Sequence, residues 1–385
     1  MKVLIVSTCP THPALAGNSR FILNQVNLFE RMGHEVHFLY IFEKAISFHR
    51  THDSLDELKS YWKDRLHVYH VSMFQHLINV LTVRFRNMTN HCYYKCDDYY
   101  ISGVDKYLGK LQKIHHFDAC IVNYYFLSKL LIKTSIPLKG LVTHDYFAYK
   151  SELVGTKKVA LNTTAHEEAK ALQRSPHIFA LNSDEAIYFS KLAPLSKIYN
   201  IYSYFDYHPT NIVGNHNILF LSGSNVYNIN GINWFIKHIW PKIKKQFKDA
   251  NLIIGGSICG KKELIYKDDS VFFGGVVGNS MDFYSKGDVV INPTFQGTGL
   301  KIKTFESISY DKVSMCHPHS KIGIFDPYTA PLFSSTEPSE WVNYLIEVWK
   351  SKKRILEIKN NNKDYILRMQ KYIENEYNNF FNSNI

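Results

Sequence analysis

The feature that most constrains this chain is a strand-turn-helix alternation that runs to about residue 200 and then starts again. An unbroken apolar run, Val3-Leu4-Ile5-Val6, leads through a loop holding Pro10, Pro13 and Gly17. A helical stripe follows at Phe21, Ile22, Val26, Leu28 and Phe29 and stops at Gly33. Further strand-like runs lie at 36–40, 119–122, 141–143 and 178–181. Residues 200–217, with Pro209 and Gly214, are less regular. The pattern then resumes with strands at 218–221, 252–254, 271–273 and 289–291, and a helix around 232–247. Strands that are apolar throughout belong to parallel sheets covered on both faces. Two such halves predict two Rossmann-like, doubly wound domains facing across a cleft. The expected division is 1–205, then 206–360, then a terminal helix at 361–385 returning to the first domain. Helical patterns at 338–350 and 363–381 carry no Gly or Pro breaker between them.

Composition narrows the functional class. A chain of 385 residues with 45% hydrophobic and 21% charged residues can bury a sizeable core and is not disordered. No run approaches the ~20 apolar residues of a membrane span, and the first residues read as a strand, so a cytoplasmic protein is the expectation. Forty-five Lys and Arg against 34 Asp and Glu give a net charge of +11. With no long basic block and no RNP-like or finger-like motif, nucleic acid is not an expected partner. Six cysteines are too sparse for a disulfide framework, and His91, Cys92 and Cys96 lack the second pair of ligands a zinc finger needs.

The chemistry concentrates between 270 and 317. Asn292-Pro293 ends a strand at its carboxyl edge, where open α/β sheets bind ligands. Gly297-Thr298-Gly299 then lets the backbone approach a ligand closely. A helix beginning near Lys301 points its free N–H groups and positive dipole end at that spot, which suits a diphosphate. Lys301 and Lys303 add charge, and Glu306 stands one turn in, within reach of two ribose hydroxyls. Each element alone has an ordinary structural use, as solvated lysines or a first-turn carboxylate; their conjunction is the signal.

The run Gly299-Leu300-Lys301-Ile302-Lys303-Thr304-Phe305-Glu306-Ser307 resembles the donor-site motif of retaining GT-B glycosyltransferases of the group 1 (family 4) type. Phe273-Gly274-Gly275-Val276-Val277, Tyr284, Asp288-Val289 and Pro293 are similar to the series preceding that motif. So are Gly223-Ser224-Asn225, Asn230, Trp234-Phe235 and Trp240-Pro241 to the opening of the nucleotide-binding domain. In the first half the likeness rests on Gly17, Gly33-His34-Glu35-Val36, His144-Asp145, Glu168 and Asn182-Ser183-Asp184-Glu185.

The resemblance implies a transfer of sugar, with retention of configuration, from a UDP- or GDP-sugar to a glycan or lipid-linked acceptor in surface polysaccharide synthesis. No separate cofactor and no metal are implied. Glu306 would hold the ribose, and Gly275 to Val277 would frame the base. Gly297, Thr298, Gly299, Gly223, Asn225 and Gly17 would line the donor, while Lys301 or Lys303 would neutralise the diphosphate. His144 would touch the transferred sugar. Thr298 stands where many relatives carry a first glutamate, which keeps a catalytically silent subunit in view; a nucleotide-sugar epimerase is the other alternative.

Three features stay open at this level. Residues 67–86 read first as a strand and helix packed on the N-terminal sheet, and second as a basic amphipathic stretch resting on the inner membrane face. Tyr93, Tyr94, Tyr99 and Tyr100 suit either core packing or stacking on acceptor sugars. Arg20 suits either the surface or an anionic ligand.

Overall fold

The structure is a computed structural model that describes residues 1–14, 17–43, 54–88, 93–154, 161–264, 268–297, 299–300, 302–383. Four of the candidate positions, Thr298, Lys301, His91 and Cys92, lie outside the described residues. The chain divides into two compact units, 1–204 with 373–385, and 205–372.

The first unit is built on a seven-stranded sheet in the order β3-β2-β1-β4-β5-β6-β7. These strands are β1 (Lys2–Ser7), β2 (Glu35–Phe42), β3 (Leu66–His70), β4 (Ala119–Asn123), β5 (Leu138–Val142), β6 (His177–Ala180) and β7 (Lys197–Asn200). All neighbouring pairs are parallel. Val3, Leu4, Ile5 and Val6 of β1 are fully buried, because helices cover both sheet faces and leave no solvent side for a polar alternation. The chain winds outward from β1 through β2 to β3, then β4 returns to the other side of β1. That reversal makes β1/β4 the topological switch point, and the crevice beyond its carboxyl ends is where such sheets take ligands.

The second unit repeats the plan with six strands in the order β10-β9-β8-β11-β12-β13. They are β8 (Asn217–Leu221), β9 (Asn251–Gly255), β10 (Val271–Phe273), β11 (Val289–Asn292), β12 (Val313–Cys316) and β13 (Leu332–Ser334). Its switch point is β8/β11. The helix Val226–His238 follows β8 and packs backbone to backbone on the end of β11. A Cβ on Gly231 would stand 2.9 Å from Thr294 Cα and 3.0 Å from the Pro293 oxygen, so any side chain there would push helix and strand apart. At the amino end of β11 the buried Asp288 carboxylate accepts from the Val213 and Gly214 amides, which fixes the turn leading into β8.

One helical detail differs from the sequence expectation. The C-terminal pattern is broken at 350–351, giving helices Pro338–Trp349 and Lys352–Phe381. The break needs no Gly or Pro: Ser351 Oγ accepts from the Arg354 amide and restarts the helix as a hydroxyl cap. The final residues, 373–385, pack with the first unit, where Tyr377 Oη accepts from Gln25 and its ring stands edge-on to Phe29 at 4.7 Å. The tyrosine cluster is largely core: Tyr99 and Tyr100 pack on the buried apolar residues of the first unit, and Tyr94 lies 5.1 Å from Tyr99.

Candidate active site

In the second unit the carboxyl edges of β8, β9, β10 and β11 gather most of the residues the sequence singles out. Gly223 and Asn225 follow β8, Gly275 and Val277 follow β10, and Gly297 and Gly299 follow β11. Gly275, Gly297 and Gly299 have φ of 69°, 97° and 79°, a left-handed backbone that favours glycine. The Gly275 carbonyl accepts from the Gly256 amide at 2.8 Å, and Val277 packs on the apolar cluster containing Phe283 and Tyr284.

Two helices begin at the β8/β11 switch point. Asn225 caps Val226–His238, its side chain accepting from the Asn228 amide at 2.9 Å. Ile302–Ser309 starts three residues after Gly299. Neither helix has an acidic residue in its first turn, so neither positive end is offset by a carboxylate there. Lys303 joins them. Its ammonium donates to Asn228 Oδ1 at 2.6 Å, while Asn228 Nδ2 donates to the Gly223 carbonyl at 2.9 Å. This partner is a neutral amide, so the bond itself brings no negative charge to the ammonium.

A polar scaffold holds the loop between β11 and its helix. Asn292 Nδ2 donates to Thr304 Oγ1 at 3.0 Å, and Thr304 Oγ1 donates to the Ser320 carbonyl at 3.1 Å. Ser320 Oγ donates to the Thr294 carbonyl at 2.7 Å. His319 Nε2–H donates to the Gly297 carbonyl at 2.7 Å and so fixes the glycine turn. Glu306 lies in the same helix as Lys303 and is only 6% exposed. Asn228, Thr294, His319 and Ser320 were not legible beforehand as site residues. The one available signal was Asn225-x-x-Asn228, which reads only as a cap.

The first unit has its own arrangement at the β1/β4 switch point. Gly17 opens the helix Gly17–Arg31, and Asn18 in its first turn donates to Tyr124 Oη at 2.8 Å and to Cys9 Sγ at 3.0 Å. Tyr124 and His144, which follow β4 and β5, have φ of 75° and 65°. Left-handed non-glycine residues at strand ends are uncommon and concentrate at functional sites. Arg20 donates through Nε to the Ala14 carbonyl, which ties it to the preceding loop.

Asn123 Nδ2 donates to the Val6 carbonyl, so its Oδ1 is the acceptor facing His144 Nε2 at 2.8 Å. His144 therefore carries its proton on Nε2 and leaves Nδ1 as an acceptor. The ring stacks on Tyr124 at 4.3 Å and meets the edge of Phe21 at 5.2 Å. Burial among these rings lowers its pKa from the ordinary 6.5 to about 3. In the same unit, burial raises Glu168 to about 7, although its carboxylate accepts from the Phe147 and Ala148 amides and from Tyr188.

The unfolded chain takes up a proton on this histidine near pH 6.5, and the folded chain does not until about pH 3. The stability it contributes is whole above 6.5 and is lost as pH falls toward 3. His144→Gln is expected to lose less stability than the parent between pH 7 and 4, measured by urea unfolding across that range. Equal losses in the two proteins would mean that His144 is not held neutral.

Residues 215–351, from just before β8 to the end of the penultimate helix, match the family described as Glycosyl transferases group 1. An uncharacterized 44.6 kDa protein in the cps region of Klebsiella pneumoniae is 21% identical over 347 residues, 80% of each chain. Among solved structures, TarM of S. aureus aligns at a TM-score of 0.69 with 10% identity over 99% of this chain and 98% of its own. Anabaena HepE, solved with UDP and glucose, aligns at 0.60 with 14% identity over 98% and 99%. Such identities speak for fold. Two doubly wound parallel-sheet units with these neighbours make the architecture GT-B.

Proposed function

We propose that this chain is a glycosyltransferase that moves a sugar from a nucleoside-diphosphate donor, first among them a UDP-sugar, to a glycan or lipid-linked acceptor with retention of configuration. The observation that carries this reading is the pair of acid-free helix starts joined through Asn228 by the Lys303 ammonium. In the proposed reaction the bond from the anomeric carbon to the diphosphate oxygen breaks. The acceptor oxygen bonds to the anomeric carbon on the same face, and its proton passes to the departing phosphate oxygen. Charge grows on the diphosphate as the bond lengthens, so fixed positive groups there stabilise the transition state more than the bound donor. Glu306 holds the ribose, and His144 acts in the transfer step.

A calorimetric screen of UDP, GDP and their sugars, followed by NMR of the product's anomeric configuration, tests the reading. Inverted product would remove retention. Absence of any transfer or donor hydrolysis would favour the silent-subunit alternative raised by Thr298. The match to a protein of a cps region supports a place in capsule-type polysaccharide synthesis, and HepE's complex with UDP supports UDP as the first probe.

The helix Met73–Met88 supports a peripheral membrane contact, the second of the two sequence readings of this stretch. Among the described residues no helix is long and apolar enough to cross a membrane. Met73, Phe74, Leu77, Ile78, Leu81, Phe85 and Met88 are between 48% and 85% exposed. At 3.6 residues per turn these seven occupy a single face. The opposite side holds the helix to its unit, where His76 Nδ1 bonds Glu43 and Gln75 Nε2 donates to Ser102. This is the reverse of a packed amphipathic helix, and it suits insertion among acyl chains beside anionic headgroups. Leu77→Ser with Phe85→Ser is expected to abolish sedimentation with phosphatidylglycerol vesicles while leaving nucleotide binding unchanged. Retained vesicle binding would reject the contact.

A further inference from the structure

At the amino ends of the first unit's strands, the sheet edge opposite His144, three histidines from three elements converge. His37 is the third residue of β2 and His67 the second of β3. The register pairs Leu39 with His67, so both imidazoles project from one face of the sheet, and the helix Val104–His115 brings His115 over that face. His37 Nδ1 and His67 Nε2 are 3.0 Å apart. The ring centroids of His67 and His115 are separated by 4.7 Å, and those of His37 and His115 by 5.1 Å. One nitrogen from each of the three lies within 4.8 Å of the other two, the only such group of three or more among the described residues. Phe117 closes the apolar side, 5.2 Å from His37 and 5.5 Å from His115.

The far side of His37 is already arranged as a metal ligand's would be. Its Nε2 donates to Glu35 Oε1 at 2.8 Å, which places the proton on Nε2 and turns the Nδ1 lone pair inward to the other rings. A carboxylate behind a histidine is the usual outer partner of a zinc-bound imidazole: it fixes the tautomer and raises the ligand's basicity. Two nitrogens bound to one zinc at about 2.1 Å stand roughly 3.4 Å apart in a tetrahedron. The His37–His67 spacing is close to that value, and the half-buried His115 supplies the third nitrogen within 4.8 Å.

We propose that His37, His67 and His115 form a structural binding site for a divalent metal of the zinc type, with Glu35 as the outer carboxylate, clamping β2, β3 and the helix Val104–His115 together. Three neutral nitrogens and a water suit Zn2+, and Co2+ can report on it by its visible absorption. The site is remote from the β8/β11 residues of the second unit in the chain and takes no part in the proposed transfer.

The test uses the full chain with any affinity tag removed, stripped with EDTA and titrated with CoCl2 and ZnCl2. One equivalent of Co2+ is expected to give a saturable visible band that Zn2+ displaces, and Zn2+ is expected to raise the thermal midpoint. His115→Ala, at a half-buried position compatible with folding, is expected to lose at least tenfold in affinity. Glu35→Gln, whose side chain is 53% exposed, removes no ligand and is expected to lose roughly tenfold by weakening His37. Nucleotide binding should be the same with and without metal. No saturable binding by the parent, or unchanged affinity in both variants, would overturn the proposal and leave a hydrogen-bonded histidine cluster.

Discussion

Lys303→Ala is expected to lower the rate of sugar transfer by roughly a hundredfold or more, with less than a tenfold change in nucleotide affinity. The asymmetry follows from when the charge is needed. In the proposed reaction the bound donor would already carry its diphosphate in a field set by two helix starts, and removing one ammonium would weaken that modestly. As the anomeric bond lengthens, the leaving diphosphate gains negative charge, and the missing cation is felt fully. Asn228 sharpens the test. Its amide oxygen accepts from the ammonium at 2.6 Å, and a carboxylate in its place would hold the charge more strongly, so Asn228→Asp should also slow transfer. Lys301→Ala belongs in the same experiment and decides which lysine matters more. His144→Ala is expected to lower turnover by about the same factor while free nucleotide still binds. Initial rates and affinities on the same preparations check all four. Parental turnover in both lysine variants and in His144→Ala would remove this set from the reaction.

Glu306→Gln is the complementary case, in which binding and not rate should suffer first. A carboxylate that accepts two ribose hydroxyls makes two charge-assisted bonds, together worth on the order of 2 to 4 kcal/mol. Nucleotide affinity should therefore fall roughly 30- to 1,000-fold. The substitution keeps the shape of a side chain that is 6% exposed, so the thermal midpoint of the free protein should move little. Calorimetry with the nucleotide and a melting curve without it separate these effects. Unaltered affinity would take Glu306 out of the site.

The sequence made the centre of each sheet legible and its margins less so. β1 and β11 are buried on both faces, and unbroken apolar runs such as Val3-Leu4-Ile5-Val6 announce that directly. The edge strand β7 (KIYN) is polar and part-exposed, and nothing in its composition separates it from a loop, whereas β3 (LHVYH) was legible only as one of two readings of its stretch. Lys303 and Glu306 stood out because charge, glycine and a helix start crowd into ten residues. Asn228, Asn18 and Asn123 did not, because an asparagine's use depends on what the fold brings within hydrogen-bond distance. For the helix Met73–Met88 the apolar face could be counted in advance, but which side meets the protein depends on Glu43 and Ser102, remote in sequence.

The discontinuous first unit has a consequence for how the protein is made. Tyr377 and Phe380 are at most 2% exposed and pack with Phe29 and Phe179, partners synthesised some 200 residues or more earlier. During translation the N-terminal sheet must wait, with that patch of its core uncovered, until the whole second unit has left the ribosome. The second unit has all of its residues, 205–372, before the last segment of the first emerges. The order of completion is therefore the reverse of the order of synthesis. Nascent-chain pauses and chaperone contacts should act on the N-terminal unit, and a truncation before residue 373 should expose that unit, more than its neighbour, to aggregation and proteolysis.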